Sequence, residues 1–452
     1  MKKKKILLLS DDLRMTSGIA TMSKEIVLGT IHKYDWVQLG AAITHPEFGK
    51  IVDVNDDIRK RTGVKDANLK IIPYNGYGDI GIIRKLIAEE KPDAILHFTD
   101  PHYWQWLYDN EHEIRQQVPL LFYHIWDNLP DPKYNRNYYE TVDWLGCISK
   151  QTYGIVHRVG KMLDESTWKP LEDWQIKYVP HGINPDVFKP IKEVDSEIKK
   201  SLLGDKNYKF ILFYNNRNIR RKQPSDVIYA FKLFCDKLTK EEADNCLLLM
   251  HTAAVDENGT DLPAVINALA PNCNVKFTGM KLEQDKLNEI YNFVDCTINI
   301  ANNEGFGLTT AESLMAGTPI IANVTGGLQD QMGFNFNEDD YISIESLHHK
   351  DWRDQKHGEW VIPIWSAAIN LNGSVPTPYI FDDRVNVDDV STAIMKMYEF
   401  GEKKRKKIGL KGREFMINNL SNKIMCDKMI EGIDTTIEKF TPRKRFDLYK
   451  IV

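Results

Sequence analysis

The sequence has no long hydrophobic run, few cysteines and no GxGxxG dinucleotide fingerprint. No stretch approaches the ~18 apolar residues of a membrane-spanning helix. The run Ile6-Leu7-Leu8-Leu9 behind Met1-Lys2-Lys3-Lys4-Lys5 stops at Ser10-Asp11-Asp12, short of the ~7–15 residues in the core of a secretion signal. It reads as a first buried strand behind a basic start. The six cysteines (Cys147, Cys235, Cys246, Cys273, Cys296, Cys426) form no CxxC pair and keep no regular spacing. Four of them sit in or beside apolar runs. They are expected to be buried free thiols of a reducing, cytoplasmic compartment, not staples or zinc ligands. Charge of one sign is not in excess either. The 59 Lys+Arg against 64 Asp+Glu leave −5, which excludes a uniformly basic nucleic-acid coat but not a local basic groove.

What remains is ordinary globular usage, 42% hydrophobic and 27% charged over 452 residues. That excludes a collagen-like, coiled-coil or mainly disordered chain. Short apolar runs alternate with helical patterns, the signature of parallel sheets with crossover helices. In the first half strands are expected at Lys5–Ser10, Trp36–Ala42, Leu69–Ile72, Ala94–Phe98, Pro119–His124, Trp144–Ser149 and Ile176–Val179. The second half repeats the scheme at Phe210–Tyr214, Cys246–His251, Val275–Thr278, Cys296–Ile300 and Pro319–Ala322. Prolines and a glycine around Val179-Pro180-His181-Gly182-Ile183-Asn184-Pro185 interrupt both periodicities and mark a join. The expected organisation is α/β. One Rossmann-like domain covers 1–185, a second covers 186–425, and a helix over 426–452 returns to the first. Ligands of such domains sit at the carboxyl ends of the strands. Residues 333–378 break the alternation and read as an insertion. Its His348, His349 and His357 lack ligand-like spacing, so packing is expected there and no metal site.

The densest signal is Asn302-Asn303-Glu304-Gly305-Phe306-Gly307-Leu308-Thr309-Thr310-Ala311-Glu312. A glutamate pair alone means little when acidic residues are 64 of 452. Here a strand, a glycine turn and a helix over Leu308–Ala316 surround it, and a helix start behind a turn is a ready anion site. Glu304 stands at the loop mouth and Glu312 about two turns further on, on roughly the same side. Two acceptor-only carboxylates flanking an anion site suit a ligand with hydroxyls at both ends and phosphate between, such as a nucleotide sugar. The basic turn Asn215-Asn216-Arg217-Asn218-Ile219-Arg220-Arg221-Lys222 follows the first strand of the second half. Arg217 and Lys222 are placed to hold a diphosphate.

In the first half Gly18 opens a helix and could let a phosphate or sugar approach the backbone. Asp100 and His124 follow strands, and His124 should stand on the edge where ligands bind. Tyr103, Trp104, Trp106 and Tyr108 are either a stacking platform or, the reading we favour, the core face of a helix.

Together these segments resemble the retaining GT-B glycosyltransferases of the glycogen synthase and sucrose synthase type, over most of the chain. Glu304…Glu312 is similar to the family's E-x7-E motif, and Thr325-Gly326-Gly327-Leu328-Gln329-Asp330 to the glycine-rich turn after it. Arg217 with Lys222, His181-Gly182-Ile183-Asn184 with Phe188-Lys189-Pro190, and His124 match further motifs. The resemblance implies two Rossmann-like domains facing across a cleft and transfer from a nucleotide sugar, with no divalent ion. It implies that Glu304 binds the sugar and Glu312 the ribose. Arg217, Lys222 and the Gly307, Leu308 and Thr309 amides would hold the diphosphate. Backbone near Met280 and Lys281 would read the base, uracil by expectation. His124 would contact the sugar and its leaving oxygen, and Asp100 would be an acceptor-side base.

The segment Ser10–Thr21 also resembles glycosyltransferases of T-even-like phages, some of which decorate hydroxymethylated cytosine in DNA. Basic clusters at Lys403-Lys404-Arg405-Lys406-Lys407, Lys411, Arg413 and Arg443-Lys444-Arg445 are compatible with duplex DNA as acceptor. They are equally what solvated helix faces look like. A growing polysaccharide or lipid-linked glycan is the rival acceptor, and a binding protein without catalysis the reading from another class. No basic amphipathic helix is evident in the first domain, so no integral membrane association is expected. The sequence does not specify an oligomeric state.

Overall fold

Apolar residues in unbroken runs become strands buried on both faces. Ile6-Leu7-Leu8-Leu9, all at most 1% exposed, form the centre of β1 (Lys4–Asp11). This is the pattern of a parallel sheet covered by helices on both sides. The structure, a computed structural model, describes residues 2–44, 46–160, 171–194, 197–279, 281–334 and 354–444.

The chain divides into two units. The first comprises Met1–Trp126, Asp131–Gly182 and Asn422–Val452; the second comprises Asp127–Pro130 and Ile183–Ser421. The joins expected at 185 and 425 each lie a few residues beyond these bounds.

The first unit adds to β1 the strands β2 (Tyr34–Ile43), β3 (Val52–Asp53), β4 (Leu69–Asn75), β5 (Ala94–Phe98), β6 (Leu120–His124), β7 (Trp144–Cys147) and β8 (Ile176–Tyr178). They form one sheet in the order β3-β4-β2-β1-β5-β6-β7-β8. Every pairing is parallel except that of β3 with β4. The helix Asn422–Lys439 packs on this unit through glycines. A Cβ on Gly432 would lie 2.3 Å from the Trp144 ring, and one on Gly29 would lie 2.3 Å from Cys426 Sγ.

The second unit contains β9 (Phe210–Asn215), β10 (Cys246–His251), β11 (Val275–Phe277), β12 (Cys296–Asn299), β13 (Ile320–Asn323) and β14 (Val361–Ile364). The order β11-β10-β9-β12-β13-β14 is parallel throughout. The carboxyl ends of β9 and β12 are therefore neighbours, and the two densest sequence signals share one edge. The core between this sheet and its helices includes Phe210, Leu212, Tyr214, Phe231, Phe234 and Ile298.

An antiparallel hairpin, β15 (Ala368–Asn372) and β16 (Ile380–Arg384), follows β14. The segment read as an insertion thus contains the edge strand of the six-stranded sheet, whose apolar Val361-Ile362-Pro363-Ile364 is too short to stand out as periodic. His348, His349 and Trp352 of that segment lie outside the described residues.

Candidate active site

The turn after β9 and the loop after β12 meet in a tight lattice. Asn302 N–H donates to the Arg221 carbonyl at 2.8 Å, and Gln223 Nε2 donates to Asn302 Oδ1 at 3.0 Å. Arg221 Nη1 donates to the Asn303 carbonyl at 2.7 Å. Gln223 takes the left-handed conformation at φ +53, which ends the short turn Arg220–Lys222 and starts the helix Pro224–Cys235.

This arrangement presses Lys222 against Glu304. Their side chains, each 9% exposed, form an ion pair, and Asn299 Nδ2 donates to Glu304 Oε1 at 3.0 Å. Burial works to raise the Glu304 carboxyl. Lys222 and then Arg221 overcome it and hold the group below the ordinary carboxylate range. Burial depresses the Lys222 ammonium, and Glu304 opposes that shift.

Behind the loop, Gly326 and Gly327 permit a close approach that no other residue allows. A Cβ on Gly326, at φ +48, would lie 2.0 Å from the Glu304 carbonyl, and one on Gly327 would lie 2.2 Å from that of Gly305. Gly327 N–H donates to the Glu304 carbonyl at 2.9 Å. Gly307 at φ +84 begins the helix Leu308–Ala316, and no side chain caps that start. The helix end at Leu308 and Thr309 is open to an anion in the manner of a phosphate site. Glu312, 9% exposed, accepts from Tyr291 Oη at 2.9 Å. Burial pushes its carboxyl up to about 7, against the Tyr291 bond.

Not every expected residue joins this cluster. The Arg217 side chain is 66% exposed and stands 3.8 Å from Asp256, and the structure does not bring it to Glu304. Arg221 lies nearer, bonded to the Glu304 loop. Lys281 is exposed, and Met280 lies outside the described residues.

In the first unit Gly18 begins the helix Gly18–Thr30, capped by Ser17, whose hydroxyl also donates to Asp11 Oδ2 at 2.6 Å. Asp100 caps the turn Pro101–Trp104. It accepts from His102 N–H at 3.0 Å and lies 2.7 Å from His102 Nδ1. Burial raises its carboxyl, but the bonds to His102 win and leave it below the ordinary range. His124, expected on an open edge, is fully buried. Its Nε2 is 2.8 Å from Tyr139 Oη, and its ring packs 4.9 Å from both Phe122 and Tyr139. Burial drives its imidazole down to about 3. Trp104 and Tyr108 are core, at most 1% exposed. Tyr103 is 59% exposed and stacks on Tyr77 at 4.7 Å.

The comparisons with known proteins bear first on the second unit. Residues 194–342 match the family model of glycosyl transferases group 1. That segment, a third of the chain, runs from before β9 to beyond Glu312 and holds the Lys222–Glu304 pair. The chain is 25% identical over 159 residues to the D-inositol 3-phosphate glycosyltransferase of Thermobispora bispora, covering 34% of this chain and 36% of that protein. To the enzyme of the same name from Nocardiopsis dassonvillei it is 22% identical over 203 residues, covering 44% and 45%. The chain thus spans less than half the length of the curated relatives it matches. Its fold is that of GT-B glycosyl transferases. The Anabaena HepE structure in complex with UDP and glucose superposes with a TM-score of 0.63 at 13% identity, over 96% of this chain and 100% of that one. Sucrose-phosphate synthase from Thermosynechococcus elongatus gives 0.66 at 14%, over 96% and 100%.

Several residues of this site carry no signal of their own in the sequence. Asn299, Asn302 and Asn303 were visible as a polar cluster at a strand's end but carried no motif. Tyr291, the partner of Glu312, lies in a helix distant from it in sequence. Asp383 of β16 is 6% exposed and accepts from Thr325 Oγ1 at 2.6 Å, just beyond the segment read as an insertion. Within the basic clusters several side chains have partners of their own. Arg405 is 3% exposed and neutralises the largely covered Asp295 at 2.7 Å. Arg413 is spent on the carbonyls of Phe188, Met315 and Pro185. Lys406 and Lys411 pair with Glu402 and Glu359, and Arg443 pairs with Glu111 at 3.0 Å. Arg445 lies outside the described residues. Among the described residues no helix is long and apolar enough to cross a membrane.

Proposed function

We propose that the chain moves a sugar from a UDP-sugar to a hydroxyl acceptor, with retention of anomeric configuration and without a divalent ion. The observation that carries this reading is the buried Lys222–Glu304 pair beside the uncapped start of Leu308–Ala316. Each partner holds the other in place until a donor arrives. Glu304 then accepts from hydroxyls of the sugar while Lys222 turns its charge to the diphosphate. As the bond from the anomeric carbon to the phosphate oxygen breaks, negative charge grows on the departing UDP. The ammonium, Arg217 and the helix start stabilise it where it develops. The acceptor oxygen bonds to the same face of the anomeric carbon, and its proton passes to the released phosphate oxygen. Asp100, held ionised by His102, is a weak base, so this reading gives it no proton to carry. Glu312 accepts from the ribose.

The UDP assignment is supported by the ligand in the HepE structure and by the Glu312 carboxylate. For the acceptor we propose the hydroxymethyl group of modified cytosine in duplex DNA, on the likeness of residues 10–21 to phage enzymes. A second reading, a glycan hydroxyl, is favoured by the internal use of Arg405 and Arg413 and by the pairing of Arg443 with Glu111. The test is a UDP-sugar panel against hydroxymethylated duplex and against oligosaccharides, with products weighed by mass spectrometry and turnover repeated in EDTA. Added hexose or pentose on the duplex, with affinity that falls steeply with salt, supports the DNA acceptor; transfer to oligosaccharide alone supports the second. Absence of turnover with every donor, or restoration only by magnesium, overturns the donor chemistry.

A further inference from the structure

The turn that carries Lys222 also lines a cavity of about 250 Å³ that neither Lys222 nor either glutamate of the E-x7-E motif lines. Arg220, Ser225, Thr260 and Arg384 are in its wall, together with Asn218 and Gly259. The wall is fixed. Asn218 is fully buried, its Nδ2 donates to the carbonyls of Ala253 at 3.1 Å and Thr260 at 2.8 Å, and its Oδ1 accepts from Thr260 N–H at 3.3 Å. Gly259 leaves no space for a side chain, since a Cβ would lie 2.3 Å from the Asn218 carbonyl.

The lining residues include two arginines and two hydroxyl side chains and no carboxylate. The Arg220 guanidinium has no hydrogen bond or ion pair among the described residues, and neither the Ser225 nor the Thr260 hydroxyl has a partner there. Arg384 meets one carboxylate, Asp226, at 3.3 Å, with both side chains partly exposed. Two guanidinium groups therefore face a single acid. Planar forks of this kind match phosphate oxygens bidentately. A space just below the range of drug-sized pockets suits a small ligand and not a dinucleotide.

We propose that this cavity binds a phosphoryl group through Arg220, Arg384 and the hydroxyls of Ser225 and Thr260, as a second anion site apart from the donor site. A free phosphate monoester and a phosphodiester of a nucleic-acid strand share this chemistry. The inference does not depend on the donor reading, because none of the residues assigned to the donor lines the cavity.

The test is calorimetric titration of the full chain with inorganic phosphate, ribose 5-phosphate and a short DNA duplex, and separately with UDP. The variants are Arg220→Gln, Arg384→Gln and Arg217→Gln. All three replace exposed side chains, and melting temperature checks that each is folded. Phosphate or ribose 5-phosphate binding that weakens about tenfold in Arg220→Gln and in Arg384→Gln, but not in Arg217→Gln, supports the site. Binding of the duplex alone, weakened by the same two variants, supports it with a phosphodiester as the ligand. No binding by any of the three probes overturns it, as does phosphate binding weakened only by Arg217→Gln. UDP affinity unmoved by Arg217→Gln counts against the diphosphate role of that residue and leaves this site untouched.

Discussion

Lys222 and Glu304 form an ion pair with both side chains about nine-tenths buried, one from the turn after β9 and one from the loop after β12. Removing one partner of such a pair leaves a buried charge without a counter-charge, at a cost of about 3–5 kcal/mol. Lys222→Ala is expected to lose stability of that order and all measurable transfer. Glu304→Gln keeps the shape and the bond from Asn299 but leaves the buried Lys222 ammonium without its counter-charge, so it too should lose stability while turnover falls by about two to three orders of magnitude. Urea denaturation and single-donor kinetics measure the two effects. Near-normal turnover in both variants would remove the pair from the chemistry. Because the Glu304 carboxyl is held below its ordinary value, the stability it contributes is present at neutral pH. It is lost as pH falls through that depressed value.

Glu312 behaves in the opposite sense. Burial raises its carboxyl to about 7, so between about 4.5 and 7 the folded chain binds a proton that the unfolded chain has released. Its contribution to stability therefore falls as pH rises through that window. A displacement of this size is worth about 3 kcal/mol. Glu312→Gln should match the parent near pH 4, below the window, and exceed it at pH 8 by up to about that amount, read from denaturation midpoints at both pH values. An equal difference at the two pH values would show that the carboxyl titrates normally. The same substitution should weaken UDP binding if Glu312 receives the ribose hydroxyls.

The strands and the E-x7-E loop were legible because their signals are local. An unbroken apolar run has to be covered on both faces, and a strand–glycine–helix passage has to expose a helix start. What was not legible depends on how a turn folds and on partners distant in sequence. Position at a strand's carboxyl end points to Arg217 and Lys222 together, but it does not show that the turn carries Arg221 to the Asn303 carbonyl and leaves the Arg217 side chain exposed. Lys403–Lys407 looked uniformly basic, yet Arg405 points inward because Asp295 waits there. His124 sits at a strand's end as expected, but Phe122 and Tyr139 close over it.

Gly327 tests how precisely the Glu304 loop must be held. A methyl group at this position would lie 2.2 Å from the Gly305 carbonyl and 2.6 Å from Phe306 Cα. Both are backbone atoms, so the loop itself must move. Gly327→Ala is expected to cost about 1–3 kcal/mol of stability. By displacing Glu304 it should lower kcat about a hundredfold, since a shift near 1 Å is enough for such a loss. Kinetics that hold kcat and change only stability would show that the loop tolerates the shift.

His97, His124 and His181 of the first unit are each fully or nearly buried, and burial lowers each imidazole to about 3. Each is therefore neutral in the folded chain across physiological pH and becomes charged on unfolding below about 6.5. The unfolded chain binds the extra protons, so their contribution to stability is complete above about 6.5 and declines as pH falls towards 3. The neutral state matters for His124, which can then only exchange one hydrogen bond at Nε2 with Tyr139 and offer Nδ1, buried without a partner. A neutral imidazole can exchange hydrogen bonds but cannot supply a cation to a leaving group. The ring resonances of His124 should accordingly show no titration between pH 5 and 8. Tyr139→Phe should cost about 1–3 kcal/mol by leaving Nε2 unsatisfied. A titration midpoint near 6.5 for His124 would mean that the ring is open to solvent and not held neutral by burial.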